Sequence, residues 1–145
     1  ILEKGVGWMN RKKKWILLAI VVVLAITAFF FWPVRIYSKE RPSQINIFDG
    51  HTGRLLILTE DAEIDAIYSE FSSQYFRRRP KLAARDGISL VFKFITGDTE
   101  EAIGVESRGR ARKGAFYYYP YGEGFDYDRY KDMVKKDGKN PSEYQ

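Results

Sequence analysis

Cysteine is absent from the 145-residue sequence, and histidine occurs once, at position 51. Without cysteine the chain forms no disulfide, so a folded domain must be held together by a packed core. The sequence offers no thiolate and no second imidazole to a zinc ion, and no cysteine for lipid attachment. It also lacks the Gly-x-Ser-x-Gly, P-loop and dinucleotide-binding motifs. We therefore expect no cofactor, and we expect that the protein is not an enzyme.

Charge is absent from one long apolar segment, Trp15–Trp32. A helix over this segment is about 27 Å long, which is enough to span the hydrocarbon layer of a bilayer. Indole rings at both ends suit the headgroup level, and Pro33 ends the helix. Four basic residues precede the segment directly: Arg11, Lys12, Lys13 and Lys14. The pattern predicts a retained membrane anchor.

The basic N-terminal flank sets the expected orientation of this anchor. Lysine and arginine are enriched on the cytoplasmic side, so we expect residues 1–14 inside and the C-terminal part outside the cell membrane. A cleaved signal peptide is the alternative, but the apolar run is longer than the usual 7–15 residues and ends in bulky side chains. We also hypothesise that the native chain begins at Met9 and that residues 1–8 are an extension.

Net charge is confined to the anchor and its flanks. Residues 1–40 carry a net charge of +5, whereas residues 41–145 hold equal numbers of basic and acidic residues. The pI near 9.3 therefore does not indicate a nucleic-acid-binding domain. About 110 residues after the anchor suffice for one domain. Because that domain lacks disulfides, a bacterial envelope is favoured.

Periodicity predicts a two-layer α+β domain with an antiparallel sheet, about two helices and the element order ββαβββα. Two short strands flank the turn Asp49–Gly53, Thr59 caps a helix over residues 60–73, and the alternation of Ile88, Leu90, Phe92 and Phe94 predicts the central strand. Weaker strands follow at residues 101–107 and 114–119. A helix opened by Asp126 and stopped by Gly138 ends the domain. We expect a stalk at 33–44, the domain at 45–138 and a tail at 139–145.

The stretch from Leu56 to Ile67 runs from a strand through Thr59 and an acidic residue into Glu-Ile-x-x-Ile. Together with the later strand and turn over residues 88–98, it resembles small uncharacterised extracytoplasmic domains of bacterial single-pass membrane proteins and lipoproteins. The resemblance covers residues 44–119. It implies an extracytoplasmic α+β fold, and it transfers no reaction and no functional residue.

Two basic clusters lie in segments that we expect to be loops, and the second leads into a run of tyrosines. Arginine is suited to bidentate contacts with phosphate or carboxylate, so convergence of the clusters would create an anion-binding surface flanked by aromatic rings. Solubility and strand propensity explain the same residues without a ligand. The candidate binding residues are Arg77, Arg78, Arg79, Arg108, Arg110, Arg112, Lys113, Tyr117 and Tyr119.

We therefore expect a membrane-anchored binding or regulatory module, an accessory subunit that recognises an envelope protein, an anionic wall polymer or a lipid headgroup, but not nucleic acid. The alternative is an envelope hydrolase or transferase with carboxylates such as Asp49, Glu123 and Asp126 in a tyrosine-lined groove. A structural spacer without a ligand is a third possibility. His51 and the acidic group near residues 126–132 fit a solvated turn and helix capping better than a base or a cation site.

Overall fold

The computed structural model describes residues 10–81 and 90–145. The chain divides into two compact units, Ile1–Trp32 and Pro33–Gln145. In the first unit, helix α1 (Arg11–Phe31) has no buried residue and is long and apolar enough to cross a membrane. Its polar Thr27 hydroxyl donates to the Val23 carbonyl at 2.9 Å, so no side-chain hydroxyl is left unsatisfied there. The sequence prediction of an apolar spanning-length helix is confirmed.

The second unit is an α+β domain with one antiparallel sheet. In the described residues the strands lie in the order β1-β4-β8-β7-β6-β5-β2-β3. Short 3-10 turns occupy Ser107–Gly109 and Pro141–Tyr144. The elements are β1 (Val34–Arg35), β2 (Gln44–Asp49), β3 (Leu55–Leu58), α2 (Asp61–Ser73), β4 (Tyr75–Pro80), β5 (Leu90–Thr96), β6 (Thr99–Val105), β7 (Ala111–Lys113), β8 (Phe116–Pro120) and α3 (Tyr127–Asp137).

The predicted α+β class is confirmed, but the order ββαβββα is wrong. Strands β1, β4 and β7 were missed, and the strand expected at 114–119 corresponds to β8, which a turn at Gly114, with a φ of +59°, separates from β7. Glu60, rather than Thr59, is the N-cap residue of α2. Asp126 and Gly138 do bound α3, because the Asp126 carboxylate accepts from the Arg129 N–H and the Gly138 N–H donates to the Val134 carbonyl. Ile88 lies outside the described residues.

Both helices of the domain pack against one face of the sheet. The ring centroids of Phe71 on α2 and of Tyr130 on α3 each lie 4.9 Å from the ring centroid of Phe92 on β5. Phe125, just before α3, stacks on Phe71 at 4.2 Å. Edge-to-face and offset contacts between aromatic rings add to the free energy of burying them. This core, between the helices and the inner face of the sheet, makes the domain two-layered.

The segments expected to be a stalk and a tail belong to the domain. Val34 pairs with Phe76 of β4, and the side chains of Ile36 and Tyr37 are each 1% exposed. Burial of these apolar side chains outweighs the polar character of residues 38–41, which suggested a stalk. At the other end, Lys139 exchanges two backbone hydrogen bonds with Leu55 of β3. The domain therefore begins directly after the apolar segment.

Candidate functional site

Strand alternation divides the predicted binding residues between the two faces of the sheet. Phe76 is fully buried on the inner face, so Arg77 and Arg79 point to the opposite face of β4. Directly opposite residues of paired strands share a face, which places Tyr119 beside Arg77 and Tyr117 beside Arg79. We call the face on this side the Arg/Tyr face, and it carries Arg35, Tyr75, Arg77, Arg79, Arg112, Tyr117 and Tyr119, together with Arg110, whose guanidinium lies over the Tyr119 ring.

Tyr119 is the point where the two basic clusters meet. Among the described residues, three guanidinium groups lie over its ring, and the carbons of Arg79, Arg110 and Arg77 are 5.0, 5.6 and 5.8 Å from its centroid. Separations below about 6 Å give attractive cation–π contacts. The sequence alone leaves open whether the two basic clusters converge in space. In the fold they meet at Tyr119, because β8 places its tyrosines between β4 and β7.

Arg35 and Arg112 extend the face beyond this centre. The Arg35 guanidinium lies 5.2 Å from the Tyr75 ring centroid and donates to the Tyr75 hydroxyl at 2.9 Å. On the other side, a Cβ added at Gly104 of β6 would lie 2.8 Å from both Cγ and Nε of Arg112. The Arg112 side chain therefore lies across β6 at a position where only glycine leaves room for it.

Positive charge on the face is only partly compensated. Arg110 lies 3.7 Å from the Glu106 carboxylate, and both side chains are largely buried. Among the described residues, the buried Arg110 Nε and the buried Tyr117 hydroxyl have no hydrogen-bond partner. A buried donor without an acceptor is costly, so these two groups destabilise the face in which they lie.

Three candidates are not part of the Arg/Tyr face. Arg78 pairs with Tyr118 on the inner side of the sheet. Lys113 also points inward, where it donates to the Ile36 carbonyl at 3.1 Å and forms an ion pair with Glu101. Arg108 is exposed in the turn Ser107–Gly109, with a φ of +68° that strains a residue with a side chain. The prediction that both clusters lie in loops is wrong for β4 and β7.

Glu101 is, with Asp49, one of two buried acids on the inner face in the part of the chain that the structure describes, and the sequence pattern did not single it out. Its carboxylate lies 3.1 Å from the Lys39 ammonium and also contacts Lys113. Burial alone would raise the pKa of Glu101, but the two ammonium groups outweigh it and hold that pKa below its usual range. Burial also raises the pKa of Tyr37. These residues tie the segment after β1 to β6 and β7.

The three carboxylates of the enzyme alternative do not lie together in one site. Asp49 is buried and accepts from the His51 N–H at 2.8 Å and from the Thr52 hydroxyl at 3.0 Å, so it stabilises the exposed turn. Glu123 and Asp126 line a different, open cleft. Asp49 lines a cleft with Asp128, Asp132, Arg54, Lys131 and Lys135. Within residues 10–81 and 90–145, no three His, Asp or Glu side chains form a metal-binding group.

The open cleft beside Glu123 contains a carboxylate that the sequence did not suggest. Glu70 of α2 is bound by the Arg129 guanidinium at 2.9 Å and by the Tyr130 hydroxyl. Burial and the hydrogen bond to Glu70 raise the pKa of Tyr130. Because these three groups satisfy one another beneath the cleft, they act as a structural bridge between α2 and α3 rather than as a free acid and base.

No protein-family model, curated protein or solved structure matches this chain. The function must therefore be argued from the chain's own residues.

Proposed function

We propose that this protein is a bacterial membrane-anchored module whose extracytoplasmic domain binds an anionic group of the cell envelope through the Arg/Tyr face. The observation that carries the proposal is the meeting of Arg77, Arg79 and Arg110 around Tyr119. These guanidinium groups belong to two separate chain segments, so only the tertiary structure brings them together. An accessory role fits a binding surface of this kind.

Charge balance favours an anionic ligand over a cationic one. Residues 41–145 are neutral in total, yet arginines from β1, β4 and β7 are gathered on one side of the sheet while Glu101 and Asp49 are buried on the other. Arginine presents a planar fork of donors that matches phosphate and carboxylate oxygens. Tyrosine rings between the guanidinium groups keep their orientation without neutralising their charge.

Anion binding is tested with the full chain in nanodiscs of zwitterionic lipid, by retention on phosphocellulose. The variant Arg77→Gln/Arg79→Gln should elute at a lower NaCl concentration than the unmodified protein, because two of its phosphate contacts are lost. The matched control is Lys131→Gln/Lys135→Gln, which removes the same charge from exposed positions of α3. Equal elution of the two variants would contradict a preferred anion site on the Arg/Tyr face.

Membrane orientation is tested separately, because the absence of cysteine permits single-cysteine labelling. We expect Ala66→Cys, on the exposed side of α2, to react with a membrane-impermeant maleimide on intact cells. Asn10→Cys, before α1, should react only after the membrane is permeabilised. The reverse pattern would show that the domain is cytoplasmic, and release of the protein into the soluble fraction would show that the anchor is cleaved.

A further inference from the structure

The Arg/Tyr face begins at the first strand after the apolar segment. Only Pro33 and Val34 separate Trp32 from Arg35, which belongs to this face through its contacts with Tyr75. If Trp32 marks the headgroup level, as proposed above, Arg35 follows it within about 11 Å of chain. A ligand in the membrane surface is therefore available to the face at a high effective concentration.

The shape of the face suits a surface rather than a small molecule. It consists of side chains projecting from adjacent strands of a sheet, whereas the clefts around Glu123 and Asp49 are lined mainly by other residues. Arg35 and Arg79 are exposed, and Tyr75 is 45% exposed at the rim. Arginine and tyrosine together are typical of protein surfaces that lie at the level of lipid headgroups.

We infer that the Arg/Tyr face docks onto anionic phospholipid, with the guanidinium groups of Arg77, Arg79 and Arg112 on headgroup phosphates. This inference rests on the proposed function, and it narrows the anionic ligand to the lipid of the membrane in which α1 lies. Charge complementarity supplies the attraction, because each basic side chain near an anionic membrane strengthens binding about fivefold. Anionic wall polymer would reach the same arginines, so it is the competing occupant in the test.

The experiment places a fluorophore on the full chain reconstituted in nanodiscs that contain a headgroup-attached quencher lipid. One label is at Ala102→Cys, an exposed position of β6 whose side chain lies on the helix-free face of the sheet. The matched control label is at Ala66→Cys, an exposed position of α2 on the helix side. Nanodiscs of phosphatidylcholine are compared with nanodiscs that contain phosphatidylglycerol.

We expect phosphatidylglycerol to increase quenching of the label at 102 but not of the label at 66. High salt should reverse the effect, because exposed charges are screened over a few ångströms at 1 M. Arg77→Gln/Arg79→Gln should lower the docking equilibrium constant about 25-fold. Lys131→Gln/Lys135→Gln should leave it unchanged. Lipid-independent quenching at 102, or equal changes at 102 and 66, would overturn the inference.

Soluble polyglycerol phosphate and inorganic phosphate distinguish the sources of phosphate. If either one binds in phosphatidylcholine nanodiscs through Arg77 and Arg79 while phosphatidylglycerol has no effect, the lipid inference is overturned and the proposed anion binding stands. If phosphatidylglycerol, polyglycerol phosphate and inorganic phosphate all have no effect on the label at 102, the lipid inference is overturned. Loss of phosphocellulose selectivity as well would overturn the proposed function with it.

Discussion

Tyr119→Leu tests whether the aromatic ring gathers the guanidinium groups of the Arg/Tyr face. In the described structure Arg79, Arg110 and Arg77 lie 5.0, 5.6 and 5.8 Å from its centroid. A cation–π contact near the surface contributes about 0.5–1 kcal/mol. If the three contacts were additive, they would stabilise this arrangement by about 1.5–3 kcal/mol.

Repulsion between the guanidinium groups opposes this attraction. Two groups at 5.0 and 5.8 Å from one centroid can be no more than about 11 Å apart. In water that separation corresponds to a repulsion of about 0.4 kcal/mol, or more where the groups are closer. At physiological ionic strength screening reduces it to about a quarter. Each of the three guanidinium pairs contributes such a repulsion. Because salt weakens it, we expect the domain to become more stable as NaCl is raised from low to physiological concentration.

A double-mutant cycle isolates the contribution of one pair. Tyr119→Leu and Arg79→Met are combined in the full chain in zwitterionic nanodiscs, and urea unfolding is followed by circular dichroism. We expect a coupling free energy of about 0.5–1 kcal/mol. Arg78→Met is the control, since Arg78 pairs with Tyr118 on the opposite face and should be additive with Tyr119→Leu. Zero coupling for Arg79, or equal coupling for Arg78, would refute the reasoning.

Three further predictions concern the stability of the domain. Phe71→Ala should lower the free energy of unfolding by about 3–5 kcal/mol and the Tm by about 12–20 °C in calorimetry, because the side chain is fully buried; a shift of only a few degrees would contradict this. Gly124→Ala should destabilise by more than about 1 kcal/mol in urea titration, since φ is +79° and its Cβ would lie 2.6 Å from the Gly109 carbonyl oxygen, whereas Gly122→Ala meets no atom within 4 Å. The depressed pKa of Glu101 contributes stability that is present above its unfolded-state pKa of about 4.5 and is lost as the pH falls through the lower folded-state pKa. Glu101→Gln should remove that part of the pH dependence in urea titrations from pH 7 to pH 3, and an unchanged profile would contradict it.

Elements with a strong local pattern could be predicted from the sequence. The alternation of Leu90, Phe92 and Phe94 gave β5, and apolar residues at helical spacing gave α2 and α3. These signals are local, because each side chain repeats its direction every two residues in a strand and every 3.6 residues in a helix. The cap at Asp126 and the stop at Gly138 are local for the same reason.

Strand β4 could not be predicted because its pattern is contradictory when read alone. Three consecutive arginines suggest a loop, yet in the sheet Arg77 and Arg79 face one side and Arg78 the other. Only pairing with the tyrosines of β8 makes this segment a strand, and that pairing joins residues far apart in the sequence. The aromatic residues Tyr75 and Phe76, which favour strands, were the local signal that could have found its start.

The position of Ile36 and Tyr37 was missed for a related reason. Two apolar residues among polar neighbours do not define a period, so the segment was expected to be a stalk. In the fold Tyr37 stacks on Phe94 with a centroid separation of 4.5 Å, and its hydroxyl donates to the Glu40 carbonyl at 3.0 Å. This packing, which depends on β5, turns a linker into part of the core.

Strand β7 connects the Arg/Tyr face to the segment that follows Pro33. Its central residue, Arg112, projects to the Arg/Tyr face, while Lys113 projects inward to Glu101 and the Ile36 carbonyl. The segment that follows Pro33 is therefore held by the same strands that carry the arginines, and β1 itself contributes Arg35 to the Arg/Tyr face. Only two residues separate Trp32 from Arg35 in the sequence, and this short separation is the reason for proposing membrane lipid rather than remote wall polymer as the anion.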